Sequence, residues 1–342
     1  MKRWRLFLLG IVAFFFITIL AGVIYEQIGK QHAAQDYPPP GQLVDISGRR
    51  LHVDCRGHGI PTVLFESGLD INGALSWSLV HQPIADRVTR ACAYSRAGIL
   101  WSEPHDGPQN GISVVEDLHA ALEKSGEQGP FVLVGHSLGG PYIMTYAKYF
   151  GADVAGVVFV DASHPDQVQR FKALNVPESS AQLYLFKVGA ALNWTGIVRA
   201  VAPLYGRVPH QPEHDDLIVK AYVSTSLGAV LNEQDALEQT FTEAGTFREL
   251  GDRPLVVLTA MKTLAPEVLA ELHWSETQAG MVQEAWKQMH DEQAAWSSNS
   301  QHQLVPDSGH FIQYDRPDLV IAAVQSVVES VRTKSQVRLG SQ

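Results

Sequence analysis

The strongest constraint on the fold is the stretch FVLVGHSLGG at residues 131–140. Its apolar FVLV run predicts a buried strand, and residues 141–151, directly after the stretch, have the apolar spacing of a helix. Between strand and helix, Ser137 stands between Gly135 and Gly139. A chain that turns this sharply leaves no space for side chains beside the turn, which explains both glycines. We therefore predict that Ser137 is presented at the carboxyl end of a strand, over the start of a helix.

Eight apolar strand patterns alternate with helical patterns along the chain. They lie at residues 41–46, 50–55, 62–67, 89–95, 131–136, 154–163, 254–260 and 302–310. Continuous apolar strands that alternate with helices are typical of a mostly parallel sheet with helices on both faces. We predict an α/β core over residues 41–164 and 251–332, followed by a tail at 333–342.

Residues 165–250 interrupt this alternation between the sixth and seventh strands. A crossover between parallel strands needs far fewer residues, and this segment holds helical patterns with apolar side chains such as Trp194 and Tyr205. We interpret it as a helical cap inserted into the core.

An uncharged apolar run occupies residues 6–25, after the short basic segment 1–5. As a helix, such a run spans roughly 30 Å at about 1.5 Å per residue, the thickness of the hydrocarbon core of a bilayer. A signal peptide has a shorter apolar run and a small-residue cleavage site, for which residues 32–34 are the one weak candidate. We expect an uncleaved anchor rather than a cleaved signal, followed by a linker over 26–40 whose YPPPG sequence is extended.

The flanking charges predict the orientation of this span. Lys2, Arg3 and Arg5 precede it, whereas Lys30 is the basic residue that follows closely. Basic residues favour the cytoplasmic side of a span. We expect a single-pass protein of the plasma membrane, with a cytoplasmic N-terminus, an extracytoplasmic folded domain and the lipid bilayer as a partner through residues 6–25.

Net charge and cysteine spacing exclude two kinds of partner. The 342 residues carry a formal net charge of −10 and no basic cluster in the folded part, so a nucleic-acid partner is not expected. The two cysteines are not at metal-binding spacing, and no metal or organic cofactor is implied. The sequence does not constrain the oligomeric state.

A serine hydroxyl is a poor nucleophile that needs a base, and the base needs an orienting acid. In this strand–turn–helix arrangement the order along the chain is serine, acid, histidine. His310 fits the last position because it lies in a loop, SGHFIQYDRP, after the last apolar strand. His136 is adjacent to Ser137 and should point away from its hydroxyl. Other histidines in polar stretches are expected to be solvated, namely His105, His164, His210, His214, His273 and His290.

Five motifs in chain order carry a resemblance to a known superfamily. They are ESGLDINGALSW, YSRAGILWSEP, GHSLGG, VDASH and SGH. From about residue 41 to 332 the chain resembles the α/β-hydrolase superfamily, and in particular hydrolases with an N-terminal membrane span. The resemblance implies the fold and the catalytic pair Ser137 and His310. It also implies an oxyanion hole formed by the backbone N–H groups of Leu69 and Leu138.

The acid is the point at which the chain departs from the family pattern. In many members the acid follows the seventh strand, and alignment places Thr263 there, which cannot stabilise an imidazolium. Some members use the end of the sixth strand instead, which here is Asp161. A turn- or helix-capping role is the alternative for Asp161, and Glu267 is the reserve acid. Ser95, where the family usually has aspartate, lies in a loop that is structural in most members.

Glu66 is unexpected beside an oxyanion hole, because a carboxylate there would oppose the developing negative charge. We expect it to bond backbone groups or Arg96 behind the site.

The two cysteines allow two interpretations. In this fold the second strand pairs with the fourth, and these strands carry Cys55 and Cys92. A disulfide is one interpretation, suited to an oxidising compartment, and two small buried thiols are the other.

These features together predict a membrane-anchored serine hydrolase that acts on a small-molecule substrate through an acyl-enzyme. The apolar insertion favours carboxylic esters with an apolar group, ahead of amides or the peptides cleaved by proline-type aminopeptidases. A catalytically idle binding protein is the alternative from another class, and Thr263 is the feature that favours it. Dehalogenases and epoxide hydrolases that resemble the chain have aspartate in place of Ser137, so their chemistry is not expected here. A single membrane span does not support a transporter.

Overall fold

The computed structural model describes residues 2–176 and 180–340. Its strands are β1 (Gln42–Asp45), β2 (Arg50–Arg56), β3 (Thr62–Glu66), β4 (Ala91–Ser95), β5 (Phe131–His136), β6 (Val154–Val160), β7 (Leu255–Ala260) and β8 (Ser300–Val305). They form one eight-stranded sheet in the order β1-β2-β4-β3-β5-β6-β7-β8. β2 is antiparallel to β1 and β4, and the other neighbours are parallel. The predicted eight-stranded, mostly parallel sheet is confirmed.

Helices surround the sheet. In the described residues they are α1 (Lys2–Asp36), α2 (Ser78–Arg87), α3 (Gly111–Ser125), α4 (Gly139–Tyr149), α5 (Gln167–Ala173), α6 (Ser180–Leu192), α7 (Ile197–Val201), α8 (Glu213–Asp235), α9 (Leu237–Ala244), α10 (Pro266–Leu272), α11 (Glu276–Ala294), α12 (Ile312–Asp315) and α13 (Pro317–Gly340). Helices α5 to α9 lie between β6 and β7, where the sequence indicates extra residues. We call residues 165–250 the insertion.

Strand residues alternate between two apolar layers. In β5, Phe131 and Leu133 belong to a layer shared with α3 and α4, whereas Val132 and Val134 belong to a layer shared with α2 and α13. Successive side chains of a strand point to opposite faces, so an entirely apolar strand needs a helix layer on each side. The central strands β3, β4 and β5 are therefore buried on both faces, whereas the outer strands β1 and β8 are largely exposed.

A covalent bond joins β2 and β4. Their antiparallel register places Cys55 opposite Cys92, with the Cα atoms 4.0 Å apart, and the two sulfurs form a disulfide. The expected pairing of the second and fourth strands is thus present, and the cysteines are bonded rather than free.

Helix α1 extends beyond the apolar run. It continues to Asp36, so the expectation of a linker is wrong for residues 26–36. The last turns are helical because they pack on the insertion: Glu26 is fully buried and accepts a 2.9 Å hydrogen bond from Arg199 on α7. By length and composition α1 is able to cross a membrane, since its most apolar 18-residue window has a mean hydropathy of 2.8 and none of it is buried.

The C-terminal segment also differs from the expected tail. Residues 333–340 continue helix α13, and Lys334 forms a 2.8 Å ion pair with Asp252. The last two residues of the expected tail lie outside the described part of the chain.

Candidate active site

Ser137 occupies the turn between β5 and α4 that the sequence predicts. Its φ of +52° lies in the left-handed region, which an L-residue adopts only when its surroundings enforce it. A Cβ atom on Gly135 would lie 2.7 Å from the backbone oxygen of Gly139, and one on Gly139 would meet the backbone of Glu66. Both glycines are therefore required, and the turn places Ser137 at the carboxyl edge of the sheet.

Asp161 follows β6 directly and bonds His310. Its Oδ2 atom lies 2.6 Å from Nδ1 of the imidazole. The other carboxylate oxygen, Oδ1, accepts hydrogen bonds of 2.9 Å from the backbone N–H of Ala260 and from the indole N–H of Trp286. Three donors thus fix the orientation of one carboxylate.

The other two positions considered for the acid lie elsewhere. Thr263 is exposed in the loop after β7, and Glu267 is exposed in the first turn of α10. Of the acids considered from the sequence, the structure brings Asp161 to His310. A capping role alone does not describe Asp161, because one of its oxygens is committed to the imidazole.

The contacts of Asp161 determine its ionisation. The side chain is buried, and burial alone would raise the pKa of its carboxyl group. The hydrogen bond and the charge of His310, helped by the indole of Trp286, outweigh burial and hold the pKa of Asp161 below its usual range. Asp161 is therefore a carboxylate at neutral pH, which stabilises a protonated imidazole beside it.

His136 supports the loop that carries His310. Its Nε2 lies 2.9 Å from the backbone oxygen of His310, and the two rings are 4.7 Å apart. Burial, with the nearby His310 acting in the same direction, lowers the pKa of His136 to about 3. A neutral His136 thus donates to the His310 loop, while the His310 side chain remains 43% exposed and open to a substrate.

Backbone hydrogen bonds join the serine turn to the segment that carries Asp161. The N–H of Ser137 donates to the oxygen of Val160 over 3.4 Å, and the N–H of Ser163 donates to the oxygen of Ser137 over 2.8 Å. Ser137 and Asp161 follow the neighbouring strands β5 and β6, and His310 lies in the loop after β8. All three residues selected from the sequence lie at the carboxyl edge of the sheet.

The loop after β3 approaches Ser137 closely. A Cβ atom on Gly68 would lie 2.9 Å from the Cβ of Ser137, so a side chain does not fit at Gly68. Leu69 is the next residue of this loop, and Leu138 follows the serine. Within the described part of the chain, neither of these two backbone N–H groups donates to another backbone group. Both are the groups that the resemblance implies for an oxyanion hole.

A buried ion cluster lies behind this loop. Arg96 donates to Glu66 over 2.7 Å, to both carboxylate oxygens of Glu233 on α8 over 2.8 Å each, and to the backbone oxygen of Gly68 over 2.6 Å. Burial raises the pKa of Glu66 to about 7, although Arg96 opposes this shift. The expectation that Glu66 bonds Arg96 is confirmed. Arg96 thus bonds both Glu233 of the insertion and the backbone oxygen of Gly68, and it links the insertion to the loop after β3. We call this loop, which contains Gly68 and Leu69, the candidate oxyanion loop.

Two histidines contradict the expectation of solvation. His164 and His290 are fully buried. Nε2 of His290 lies 2.8 Å from the backbone oxygen of Ala162, and Nδ1 lies 2.6 Å from the hydroxyl of Thr259. Both ring nitrogens therefore have hydrogen-bond partners inside the core. Exposed, as expected, are His210, His214 and His273, and His105 is half-buried.

Trp286 and Glu233 are the site residues that sequence reasoning missed. Trp286 bonds Asp161 from 125 positions away, and Glu233 bonds Arg96 from 137 positions away. No local spacing indicates contacts of this range. The one available signal is a tryptophan within the mainly polar sequence of α11.

Two groups among the described residues have the spacing of metal ligands, and one of them contains the disulfide-bonded Cys55 and Cys92. The ligand atoms of His164, Asp166 and Glu292 lie within 4.8 Å of one another. However, Arg248 bonds Asp166 and Arg170 bonds Glu292, each over 2.6 Å. Because both carboxylates already have cationic partners, we assign no metal to this cluster.

Sequence comparison relates most of the chain to one family. The model of the Alpha/beta hydrolase family matches residues 34–323. The uncharacterized protein YbdG of Bacillus subtilis (strain 168) is 25% identical over 177 residues, which are 51% of this chain and 54% of YbdG. The probable transporter efuK of Hormonema carpetanum is 32% identical over 131 residues, which are 35% of this chain and 18% of efuK. The chain thus spans about half or less of these curated relatives.

Solved structures share the fold at low identity. A thermophilic esterase from Thermogutta terrifontis has a TM-score of 0.57 at 18% identity, covering 85% of this chain and 98% of the esterase. A probable hydrolytic enzyme from Pseudomonas aeruginosa PAO1 has a TM-score of 0.61 at 19% identity, covering 86% and 95%. An epoxide hydrolase from Bacillus megaterium has a TM-score of 0.58 at 15% identity, covering 84% and 100%. With the family match, the sheet order and the serine turn in agreement, the chain belongs to the alpha/beta hydrolase family and has its fold.

Proposed function

We propose that the protein is a serine hydrolase that cleaves carboxylic esters through an acyl-enzyme. The observation that carries the proposal is the 2.6 Å hydrogen bond between Asp161 and His310, at the sheet edge that presents Ser137. A carboxylate on Nδ1 leaves Nε2 of the imidazole as the acceptor for a proton. This bond also weighs against an idle binding protein, because β6 provides the acid that is missing at Thr263.

In this mechanism, Nε2 of His310 takes the proton of the Ser137 hydroxyl as its oxygen attacks the ester carbonyl carbon. Asp161 holds the tautomer of the ring and stabilises the imidazolium that forms. The N–H groups of Leu69 and Leu138 bond the oxyanion. His310 then gives its proton to the departing alcohol oxygen. A water molecule, deprotonated by the same ring, hydrolyses the acyl-enzyme and restores Ser137.

Apolar packing at the oxyanion loop supports an apolar substrate. Leu69 packs with Leu138, Tyr142 and Phe241, of which Phe241 belongs to helix α9 of the insertion. We propose that the insertion acts as a cap and forms one wall of the substrate site. A small ester with an apolar acyl or alcohol group suits this wall, and amides are the second substrate class.

We also propose that α1 anchors the protein in the plasma membrane with the catalytic domain outside. The apolar composition of α1 supports a span, and the basic residues of segment 1–5 favour a cytoplasmic N-terminus. The disulfide between Cys55 and Cys92 suits an oxidising compartment.

The test is the hydrolysis of p-nitrophenyl esters, from acetate to long acyl chains, and of the matching p-nitroanilides, by full-length protein in detergent. We expect ester turnover by the wild type. Ser137→Ala and His310→Ala should lower kcat by roughly 10⁴-fold or more, and Asp161→Asn by about 10³-fold or more, because the three groups act as a unit. Thr263→Ala and Glu267→Gln are the matched controls at the two other acid positions and should retain the wild-type rate.

The outcomes separate the candidate roles. Loss of turnover in Glu267→Gln with an unchanged Asp161→Asn would transfer the role of the acid to Glu267. Faster turnover of anilides than of esters would favour the amidase alternative. A wild type no faster than Ser137→Ala on every ester and anilide would show that the proposed function is wrong.

A further inference from the structure

We propose that the insertion rests on the bilayer that α1 enters, and that the active site receives esters dissolved in that bilayer. The contact surface is formed by residues 184–205, which we call the apolar surface. The lipid contact rests on the membrane span proposed for α1, and the choice of substrate rests on the proposed ester hydrolysis.

Large apolar side chains are exposed across this surface. They are Tyr184, Leu185, Phe186, Val188, Leu192, Trp194, Ile197, Leu204 and Tyr205. Helix α6 carries the first five of them and α7 carries Ile197, whereas Trp194 and Leu204 lie in the short turns on either side of α7. Helix α7 contacts α6 and both of these turns. Soluble domains rarely expose apolar groups in such a contiguous patch unless the patch meets a partner or a membrane.

The charges of the apolar surface are all positive. Between residues 184 and 205 the chain has no aspartate or glutamate, and its charged residues are Lys187 and Arg199. Lys187 pairs with Asp235 over 3.0 Å and Arg199 with Glu26 over 2.9 Å. The segment 184–205 thus contributes cations but no carboxylate of its own, which is the composition of segments that lie in a membrane interface.

Helix α1 places this surface at the level of the membrane. Near the end of its apolar run, α1 crosses the turn between Trp194 and Ile197. A Cβ atom on Gly196 would lie 2.6 Å from the backbone oxygen of Gly22 and 3.0 Å from the ring of Tyr25. Trp194 and Ile197 therefore stand where the apolar run ends, at the interface that aromatic side chains favour.

The junction between α1 and the insertion resists bending. The helix runs through this crossing without interruption to Asp36. Beyond the crossing, the buried Glu26 bonds Arg199 and the hydroxyl of Ser224, over 2.9 and 2.5 Å. A flexible linker would let the domain tumble away from the bilayer, whereas this docked helix keeps the apolar surface turned towards it.

Apolar packing connects the apolar surface with the loop after β3. Val198 and Ala202 belong to a buried cluster with Val223 and Leu227, and Ile71, two residues after Leu69 in that loop, packs against this cluster. An acyl chain that leaves the bilayer at this surface meets apolar side chains before it reaches the loop. The substrate class that fits is therefore an ester with a long acyl chain held in the membrane.

The first experiment measures lipid contact and does not depend on activity. Full-length Leu204→Cys and Ile60→Cys are labelled with the fluorophore NBD and reconstituted in phosphatidylcholine vesicles. Leu204 and Ile60 are both exposed, with 83% and 68% of each residue accessible. Ile60, however, lies just before β3, at the amino ends of the parallel strands and thus opposite the candidate active site. We expect blue-shifted emission at position 204 and several-fold stronger quenching by doxyl-labelled lipid than at position 60.

Two results would overturn the lipid contact. One is equal quenching by doxyl lipid at the two positions. The other is shielding of position 204 from aqueous iodide without quenching by doxyl lipid, which would place a second copy of the chain on the surface.

The second experiment tests the source of the substrate. Leu204→Glu and the matched control Ile60→Glu are compared on a long-chain p-nitrophenyl ester in vesicles and on p-nitrophenyl acetate in water. We expect Leu204→Glu to lose about 10-fold on the vesicle ester, because it weakens apolar contact with lipid, and to retain the acetate rate. Equal rates of both variants on the vesicle ester would remove the substrate half of the proposal. If the wild type cleaves neither ester, the proposed function fails, and the quenching result still decides the lipid contact.

Discussion

Two residues at the sheet edge share an unusual backbone conformation. Ser137 and Asp161 have φ values of +52° and +44°, and each directly follows the last residue of a parallel strand. Such conformations cost on the order of 1–3 kcal/mol each and persist only where the surroundings over-determine them. The strain therefore falls on the two residues that the proposed mechanism uses as nucleophile and acid.

Individual site residues differ in how far the sequence predicts them. Ser137 is predictable because the glycines that its turn requires are its near neighbours in the chain. Asp161 is predictable only through the family resemblance, since VDASH alone does not indicate which side chain the aspartate faces. Trp286 was not predicted, because its bond to Asp161 depends on how α11 packs against the sheet.

We predict that Trp286→Phe lowers the rate of catalysis. Removing the indole N–H leaves one oxygen of Asp161 with a donor fewer, and a hydrogen bond to a charged group contributes about 1.5–3 kcal/mol. We expect kcat on the proposed ester substrate to fall about 10-fold or more with little change in KM. The measurement is steady-state kinetics, with the melting temperature as a check on folding.

Trp4→Phe, which changes an exposed residue of α1, is the matched control and should keep the wild-type kcat. An unchanged kcat in Trp286→Phe would show that the indole does not position Asp161.

Among the elements, buried strands were the most predictable. A strand covered on both faces is apolar throughout, so its composition alone reveals β3, β5, β6 and β7. Helix α11 is not predictable from the sequence, because its mainly polar surface buries few residues, among them Met289, His290 and Gln293. Its position depends on contacts with β7 and β8 rather than on an apolar stripe of its own.

The ion pair that links α8 to the sheet should contribute to the stability of the protein. Glu233 pairs with the buried Arg96, and removing one partner of a buried pair typically lowers the free energy of unfolding by about 3–5 kcal/mol. We expect Glu233→Ala to show a loss of this size in chemical denaturation. Limited proteolysis should also cut the insertion faster.

Asp235→Ala provides the contrast on the same helix. Its partner Lys187 is largely exposed, and exposed pairs contribute about 0–1 kcal/mol. Similar losses for the two variants would contradict a special role for the Arg96 cluster.

For the whole molecule, the sequence predicts the parts but not how α1 meets the domain. The apolar run and the YPPPG stretch indicated a span and a spacer, and the intervening residues carry no signal of docking. The bond between Glu26 and Arg199 joins positions 173 residues apart. A contact of this range is decided by tertiary packing, which explains why the sequence alone predicts a linker over residues 26–36.

The disulfide offers a prediction for the molecule as a whole. Cys55 and Cys92 close a loop with a sequence separation of 37, and a loop of this size contributes about 2–4 kcal/mol through the unfolded state. We expect a Cys55→Ala, Cys92→Ala double variant to unfold at correspondingly lower denaturant. Reduced wild-type protein should match the double variant, and identical unfolding of oxidised and reduced wild type would show that the bond is absent or contributes nothing.

The docking of α1 also determines where the chain can be cut to release a soluble domain. A cut within the apolar run leaves Glu26 and the last turns of the helix on the insertion. A cut at residue 36 removes that carboxylate and leaves the guanidinium of Arg199 without it. It also uncovers the surface against which Ala33 is buried. The boundary of an intact soluble fragment therefore lies inside the helix, well before the prolines that look like the natural border.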